Sequence, residues 1–232
     1  MDRRTFLKIG GGLAIGTAMG PLPQLVSSLL AKDIKASAKN KWGMVIDVTK
    51  CVEGCSVCMD ACRKENNVSL DNYWIRVATV TPKVPDAKPQ PVPLLCNHCE
   101  DPFCVKVCLV KASFKREDGI VLVDEHRCIG CRYCMIVCPY KSRSFVFKHQ
   151  EGYTNSDSPK RQHGVVEKCD FCVSRVDNGE MPVCVVSCPN KAMFFGNLND
   201  PNSEVAKLVA SGKAHPIRPD LGSKPKVYYL GL

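Results

Sequence analysis

From Trp42 onward, every apolar run in the chain is broken by a charge, a proline or a cysteine. Short runs of β-branched and aromatic residues between polar clusters predict strands over Trp42–Val48, Ile75–Val80, Val92–Leu95, Ile120–Val123, Phe145–Phe147 and Val165–Glu167. Short helices are expected to follow the third cysteine of two cysteine runs, over about Met59–Lys64 and Met135–Val137. One amphipathic helix fits Ser203–Ala210, with Asn202 or Ser203 as N-cap and Gly212 near its end. The stretch Pro82–Pro93 holds five prolines and reads as an extended surface connection, and Glu151–Lys160 as a polar loop. The tail His215–Leu232 is expected to be extended, its aromatics Tyr228 and Tyr229 docking along the body or onto a partner.

One apolar stretch precedes all of this. Ile9–Leu30 is long enough to span a bilayer but is glycine-rich and contains Pro21 and Pro23. It follows Arg3-Arg4-Thr5-Phe6-Leu7-Lys8, which resembles the twin-arginine export signal, and leads to small residues at Ala36-Ser37-Ala38. Residues 1–38 are therefore expected to be an export segment, cleaved near Ala38 or retained as an anchor, that places the body on the outer face of the cytoplasmic membrane. The remaining chain is expected to meet the membrane through partners.

Sixteen cysteines in 232 residues signal disulfides, zinc or iron–sulfur ligation, and the spacing separates the three. They fall into four groups: Cys51, Cys55, Cys58 and Cys62; Cys96, Cys99, Cys104 and Cys108; Cys128, Cys131, Cys134 and Cys138; Cys169, Cys172, Cys184 and Cys188. The third is Cys-x2-Cys-x2-Cys-x3-Cys-Pro, the bacterial ferredoxin run, whose fourth cysteine points away toward another cluster. Zinc is ordinarily held by two separated Cys-x2-Cys knuckles, a pattern that only the fourth group approaches. Cysteines this dense also leave disulfides little loop entropy to remove. The spacing Cys51-x3-Cys55-x2-Cys58 alone resembles a radical-SAM site, but Cys62 continues the ferredoxin run and too little chain remains for the barrel such enzymes need. Gly54 is expected to let the extra residue bulge without displacing Cys55.

An internal repeat ties the groups together. Met44-Val45-Ile46-Asp47 leads to Cys51 as Val121-Leu122-Val123-Asp124 leads to Cys128, and Cys108 and Cys188 are each followed by Lys-Ala (Lys111-Ala112, Lys191-Ala192) and a strand edge. The Lys-Ala pairs read as structural rather than catalytic. The formal charge of +9 changes meaning in this light: removing residues 1–38 lowers it to +6, and four oxidised clusters with their thiolates bring about −8. The basic residues therefore compensate cluster charge, and no aromatic platform interleaves with them to bind nucleic acid. Lys50, Arg63, Arg127, Arg132, Arg143 and Lys168 flank the cysteine loops, where buried charge would raise reduction potential and a solvated face would do little. His98 and His126 lie near cysteines, and the sequence shows no nucleophile–base pairing or nucleotide loop, so no catalytic residue is assigned.

The sequence resembles the four-cluster ferredoxin-like subunits of membrane-bound respiratory complexes, among them the iron–sulfur subunits of dimethyl sulfoxide and polysulfide reductases and of the membrane complex associated with sulfite reduction. The resemblance rests on the sixteen cysteines, on Cys96-Asn97-His98-Cys99-Glu100-Asp101-Pro102, on Cys138-Pro139-Tyr140, on Gly196–Val205 and on Leu221–Leu230. It implies an α+β fold of two bacterial-ferredoxin-like two-cluster domains, one inserted in the other, with long surface loops and an extended tail. The outer domain would span 39–92 and 148–200, the inserted one 93–147, and a C-terminal helix and docking tail 201–232. The resemblance also implies crossed ligation of four [4Fe–4S] clusters: Cys51, Cys55, Cys58 and Cys188; Cys62, Cys169, Cys172 and Cys184; Cys96, Cys99, Cys104 and Cys138; and Cys108, Cys128, Cys131 and Cys134. It further implies electron transfer between a quinone-linked multi-spanning membrane subunit and a catalytic or haem-bearing subunit. A free, diffusible exported ferredoxin is the alternative. Glu53, Phe103 and Lys141 depart from the family's usual pattern.

Overall fold

The computed structural model describes residues 36–69, 71–81, 89–148 and 155–232. Nearly all of the expected export segment lies outside them, as do 82–88 of the proline-rich connection and 151–154 of the polar loop. Residues 37–232 make up one compact unit. Its elements run β1 (Trp42–Asp47), a 3₁₀ turn (Val48–Lys50), α1 (Val57–Glu65), β2 (Ile75–Val80), β3 (Gln90–Leu95), α2 (Phe103–Lys106), β4 (Ser113–Lys115), β5 (Val121–Val123), α3 (Tyr133–Ile136), β6 (Ser144–Phe145), β7 (Val166–Glu167), α4 (Val173–Val176), α5 (Val183–Val186), β8 (Met193–Asn197), α6 (Glu204–Ala210), β9 (Ala214–Pro216), a second 3₁₀ turn (Pro219–Leu221) and β10 (Val227–Leu230). No helix among the described residues is long and apolar enough to cross a membrane.

Strand β1 sits inside a four-stranded sheet of order β8-β1-β10-β9, antiparallel to β8 and parallel to β10. Because it is covered on both faces, its middle is an unbroken apolar run rather than an alternating one. Met44 and Ile46 face the main core with Phe195, Val227 and Tyr229, while Val45 faces a smaller cluster formed by Val205 of α6, Ala214, Phe194 and Tyr228. Three two-stranded sheets, β2-β3, β4-β5 and β6-β7, complete the strand pairing.

Several sequence expectations are corrected. Of the two dockings expected for the tail, the structure shows the one along the body: β10 is paired in the sheet, Tyr229 is only 1% exposed, and its hydroxyl donates to the Pro93 carbonyl at 3.0 Å. Its partner strand lies far upstream, so nothing local in the tail reveals the pairing. The proline-rich connection ends as strand, since Pro91 and Pro93 pair opposite Thr79 and Val77. Prolines two apart present their missing N–H groups to the same side, here the outer edge of a two-stranded sheet, where no ladder bond is lost. The two expected cluster-loop helices begin before the third cysteine, not after it, so Cys58 and Cys134 sit within α1 and α3. The one-turn helices α2, α4 and α5 escape sequence periodicity because four residues make no amphipathic pattern. Gly54 takes φ +75° with open space around a would-be Cβ, so the extra residue of the first loop swings outward as expected.

Candidate iron–sulfur sites

The cysteine loops are held by one local structure used twice. Asp47 N–H donates to the Ala192 carbonyl and Asp124 N–H to the Ala112 carbonyl, each at 2.8 Å. Lys191 and Lys111 both take left-handed φ, +48° and +54°, which turns their side chains to solvent and drives the following Ala192 and Ala112 inward. That turn brings Ala192 N–H to Cys188 Sγ and Ser113 N–H to Cys108 Sγ, both at 3.3 Å. The two Lys-Ala pairs are thus backbone devices that close the turn after the last cysteine and supply a sulfur with an N–H donor.

Two cavities lie at these turns. One is lined by Cys51, Cys55, Cys58 and Cys188; the other by Cys108, Cys128, Cys131 and Cys134. Each therefore takes three thiols from one sequence group and one from another. The remaining eight thiols form two gatherings. Cys169, Cys172 and Cys184 bear electrostatically on Cys62, while Cys96, Cys104 and Cys138 bear on Cys99. Helix geometry explains the division: Cys62 lies one turn beyond Cys58 on α1, about 6 Å along the axis, which is enough to reach a neighbouring site. Helix α1 packs on α5, which carries Cys184, and α2 with Cys104 packs on α3 with Cys134, so the arrangement repeats with the chain. Cys188 stands with Cys51, Cys55 and Cys58, so the sequence's fourth group is not gathered as one zinc site.

The four gatherings are consecutive neighbours. Cys58 bears on Cys184, Cys96 on Cys169, and Cys104 on Cys134, which orders the first, second, third and fourth sites in a row.

Burial, reinforced by neighbouring thiols, pushes Cys51 and Cys58 up to about 11 and Cys99 to about 12. Cys62 and Cys169 are driven well above their ordinary value for the same reason, with Asp170 adding to both. Four such thiolates can coexist only around a strongly cationic core. All sixteen thiols are free of disulfides, and among the described residues no three His, Cys, Asp or Glu groups converge tightly enough for a single metal ion. Four thiols around a cavity, with N–H donors aimed at sulfur, fit a [4Fe–4S] cluster. Asn66 adds another donor, its Nδ2 lying 3.7 Å from Cys62 Sγ and from Cys172 Sγ.

The flanking cations differ in burial, with Arg63 half-buried. Lys50, Arg127 and Arg132 are exposed, whereas Arg143 and Lys168 are buried. Lys168 Nζ donates to the carbonyls of Val121 and Cys169. His98 is fully buried, its Nδ1 accepting from Val121 N–H at 3.1 Å, while His126 stays at the surface beside Gln162. The burial of Arg143 and the positions of Asn66 and Phe171 carry no signal in spacing or periodicity, because each depends on contacts across the chain.

Fold and donor set together define a small mixed α/β protein of ferredoxin type that carries [4Fe–4S] clusters. Residues 88–198 match the family model for a 4Fe-4S dicluster domain. The chain is 41% identical to the Hdr-like menaquinol oxidoreductase iron-sulfur subunit 1 of Archaeoglobus fulgidus over 100% of this chain and 98% of the relative. It is 35% identical to the arsenate respiratory reductase iron-sulfur subunit of a Shewanella species, covering 81% and 95%, and 37% identical to protein NrfC of Escherichia coli, covering 98% and 94%. The chain belongs to this family, the iron–sulfur subunits of respiratory oxidoreductases.

Proposed function

We propose that the protein is the electron-transfer subunit of a membrane-associated respiratory complex and holds four [4Fe–4S] clusters in the crossed sets described above. The observation that carries this reading is the row of four thiol gatherings, each mixing cysteines from different sequence groups. When bound, the clusters supply reversible one-electron storage. The protein's own residues hold them in order, donate N–H groups to their sulfurs and keep water from the middle of the row, where Cys62, Cys96, Cys169, Cys172 and Cys184 are all buried. The named relatives include subunits of a reductase and an oxidoreductase, which favours a subunit over a free, diffusible ferredoxin.

Both ends of the row present apolar side chains. Leu109, Ile129 and Ile136 are 78%, 64% and 76% exposed around the fourth site, and Val52 and Val186 are 56% and 63% exposed around the first. These ends suit the two redox partners, a quinone-linked multi-spanning subunit and a catalytic or haem-bearing subunit, in a hetero-oligomer. The twin-arginine motif supports a place on the outer face of the cytoplasmic membrane. The outer-plus-inserted domain division is the one these crossed sets imply. Anaerobically purified protein should contain about sixteen irons and as many acid-labile sulfides per chain. Iron well below about twelve, or stoichiometric zinc, would sink the four-cluster reading. Mild-detergent purification from membranes should recover a multi-spanning partner with quinol-dependent cluster reduction, and recovery only as a soluble monomer would restore the free ferredoxin.

A further inference from the structure

Among the flanking cations, Arg143 has the most unusual surroundings. The residue is 6% exposed, its Nη1 donates to Ser113 Oγ at 2.8 Å, and its Nη2 is buried without a hydrogen-bond partner among the described residues. The thiols that face it are Cys96 and Cys104 of the third site and Cys134 of the fourth. Ser113 joins it to the fourth site again, since the Ser113 N–H lies on Cys108 Sγ. The buried guanidinium therefore stands between two neighbouring sites, one edge anchored on Ser113 and its charge set against Cys104 and Cys134.

The first half of the repeat has no such charge in the matching place. Arg143 follows Cys138 by five residues, and after Cys62 the corresponding stretch is Asn66-Asn67. Asn66 offers a neutral amide to Cys62 and Cys172, and Asn67 turns its amide to the carbonyls of Asn155 and Ser158. Arg63 donates to the Asn72 carbonyl and lies over the Tyr73 ring. The second site also has Lys168 beside it, but Asp170, which accepts Cys172 N–H at 2.7 Å, brings the opposite charge to the same loop. The third site has Glu100 nearby, itself ringed by Lys41, Lys115 and Lys226. Lys168 and Lys226 bear on His98 beside the third site, but Arg143 is the buried charge set against thiols of both the third and the fourth.

We infer that Arg143 raises the reduction potentials of the third and fourth sites above what the same thiol sets would otherwise have, so that electrons rest preferentially at that end of the row. This rests on the four-cluster reading above. A fixed positive charge favours the reduced, more negative state of a nearby cluster, and at the effective dielectric of a protein interior it does so by a factor of ten or more at short range. Arginine suits the task because its charge is permanent and its planar fork can serve Ser113 and the sulfurs together.

The test is an anaerobic redox titration followed by electron paramagnetic resonance on wild type, Arg143→Gln and Arg143→Lys, with iron and sulfide measured on each. Two of the four midpoint potentials should fall in Arg143→Gln, each by about a tenfold change in the reduction equilibrium, or about 59 mV for a one-electron couple. The other two should hold, and Arg143→Lys should restore most of the shift. Fully loaded Arg143→Gln with no potential moved, or with all four moved alike, would overturn the inference. If the glutamine variant loses iron, Arg143→Met takes its place, with the same two potentials expected to fall and the other two to hold. Loss from both neutral variants overturns it and leaves Arg143 as a packing residue. Wild-type iron content reports separately on the four-cluster reading, so its failure is not confused with that of Arg143.

Discussion

His98 and Phe171 stack face to face, with ring centroids 3.7 Å apart and planes inclined by 17°. His98 lies between Cys96 and Cys99, and Phe171 between Cys169 and Cys172, so the stack joins the loops of the second and third sites where the two halves of the row meet. Phe171 is 1% exposed and also meets the Phe195 ring edge-on at 5.2 Å. Phe171→Ala is expected to cost about 3–5 kcal/mol by leaving a cavity at this seam. Denaturant unfolding of the cluster-loaded protein measures it, and a loss under about 1 kcal/mol would show that the stack contributes little to holding the halves together.

Gly130 and Gly54 separate backbone strain from lack of space. Both take positive φ, +68° and +75°. A Cβ on Gly130 would meet the Gly164 carbonyl oxygen at 2.3 Å, whereas one on Gly54 would meet nothing within 4 Å. Gly54→Ala is therefore expected to cost only the left-handed strain of about 1–2 kcal/mol and to keep its iron. Gly130→Ala must push the Cys128–Cys131 loop off a backbone that cannot yield. It is expected to lose about four irons per chain, which iron analysis of the two variants will read directly.

Lys226 is 1% exposed, and burial holds its amine down at about 8 from the ordinary 10.5, against the pull of Glu100. With the folded value depressed, the unfolded chain binds more protons between those two values, so stability rises with pH across that window and is lost again as pH falls through about 8. Wild type should therefore gain stability relative to Lys226→Met between about pH 8 and 10. Parallel thermal unfolding at pH 7.5, 9 and 10 tests the sign, and parallel curves for the two proteins would refute it. Lys226 Nζ also donates to the Gly119 carbonyl, so part of the variant's difference at any one pH is that lost bond, and the slope is the informative quantity.

Much of the cysteine chemistry is legible in the sequence because it is local. Spacing identifies the ferredoxin loop around Cys128–Cys138, and the repeat around Asp47 and Asp124 anticipates a pair of matching backbone bonds to Ala192 and Ala112. Strand β2 can be read because Ile75–Val80 alternates β-branched positions and stops at Thr81-Pro82. What stays hidden is long-range. The partner of Tyr229 cannot be read because its pairing with Ile46 spans most of the chain, and Gln90 and Pro91 read as connection because a proline's tolerance in β3 depends on the sheet having only two strands. Arg143 and Lys168 group with Arg127 and Arg132 in the sequence, since charge near a cysteine reads the same whether the chain later covers it or not.

The arrangement of thiols makes a last expectation that sequence grouping alone would get wrong. Cys184 and Cys188 are one helical turn apart and belong to one motif, yet Cys188 lines the cavity with Cys51, Cys55 and Cys58, while Cys184 sits with Cys62, Cys169 and Cys172. Replacing a ligand by serine perturbs the magnetic signal and potential of the cluster it holds far more than those of a neighbour. Cys188→Ser should therefore alter the same signal as Cys55→Ser, and Cys62→Ser the same signal as Cys172→Ser. Cys138→Ser should likewise follow Cys99→Ser rather than Cys131→Ser, which repeats the test in the other half of the chain. Each pair joins residues from different motifs, so coincidence within sequence groups cannot produce the pattern. If Cys188→Ser instead tracks Cys184→Ser while leaving the Cys55 signal untouched, the crossed assignment fails for the first half, and the row of four sites loses the helix-borne link between its first two members.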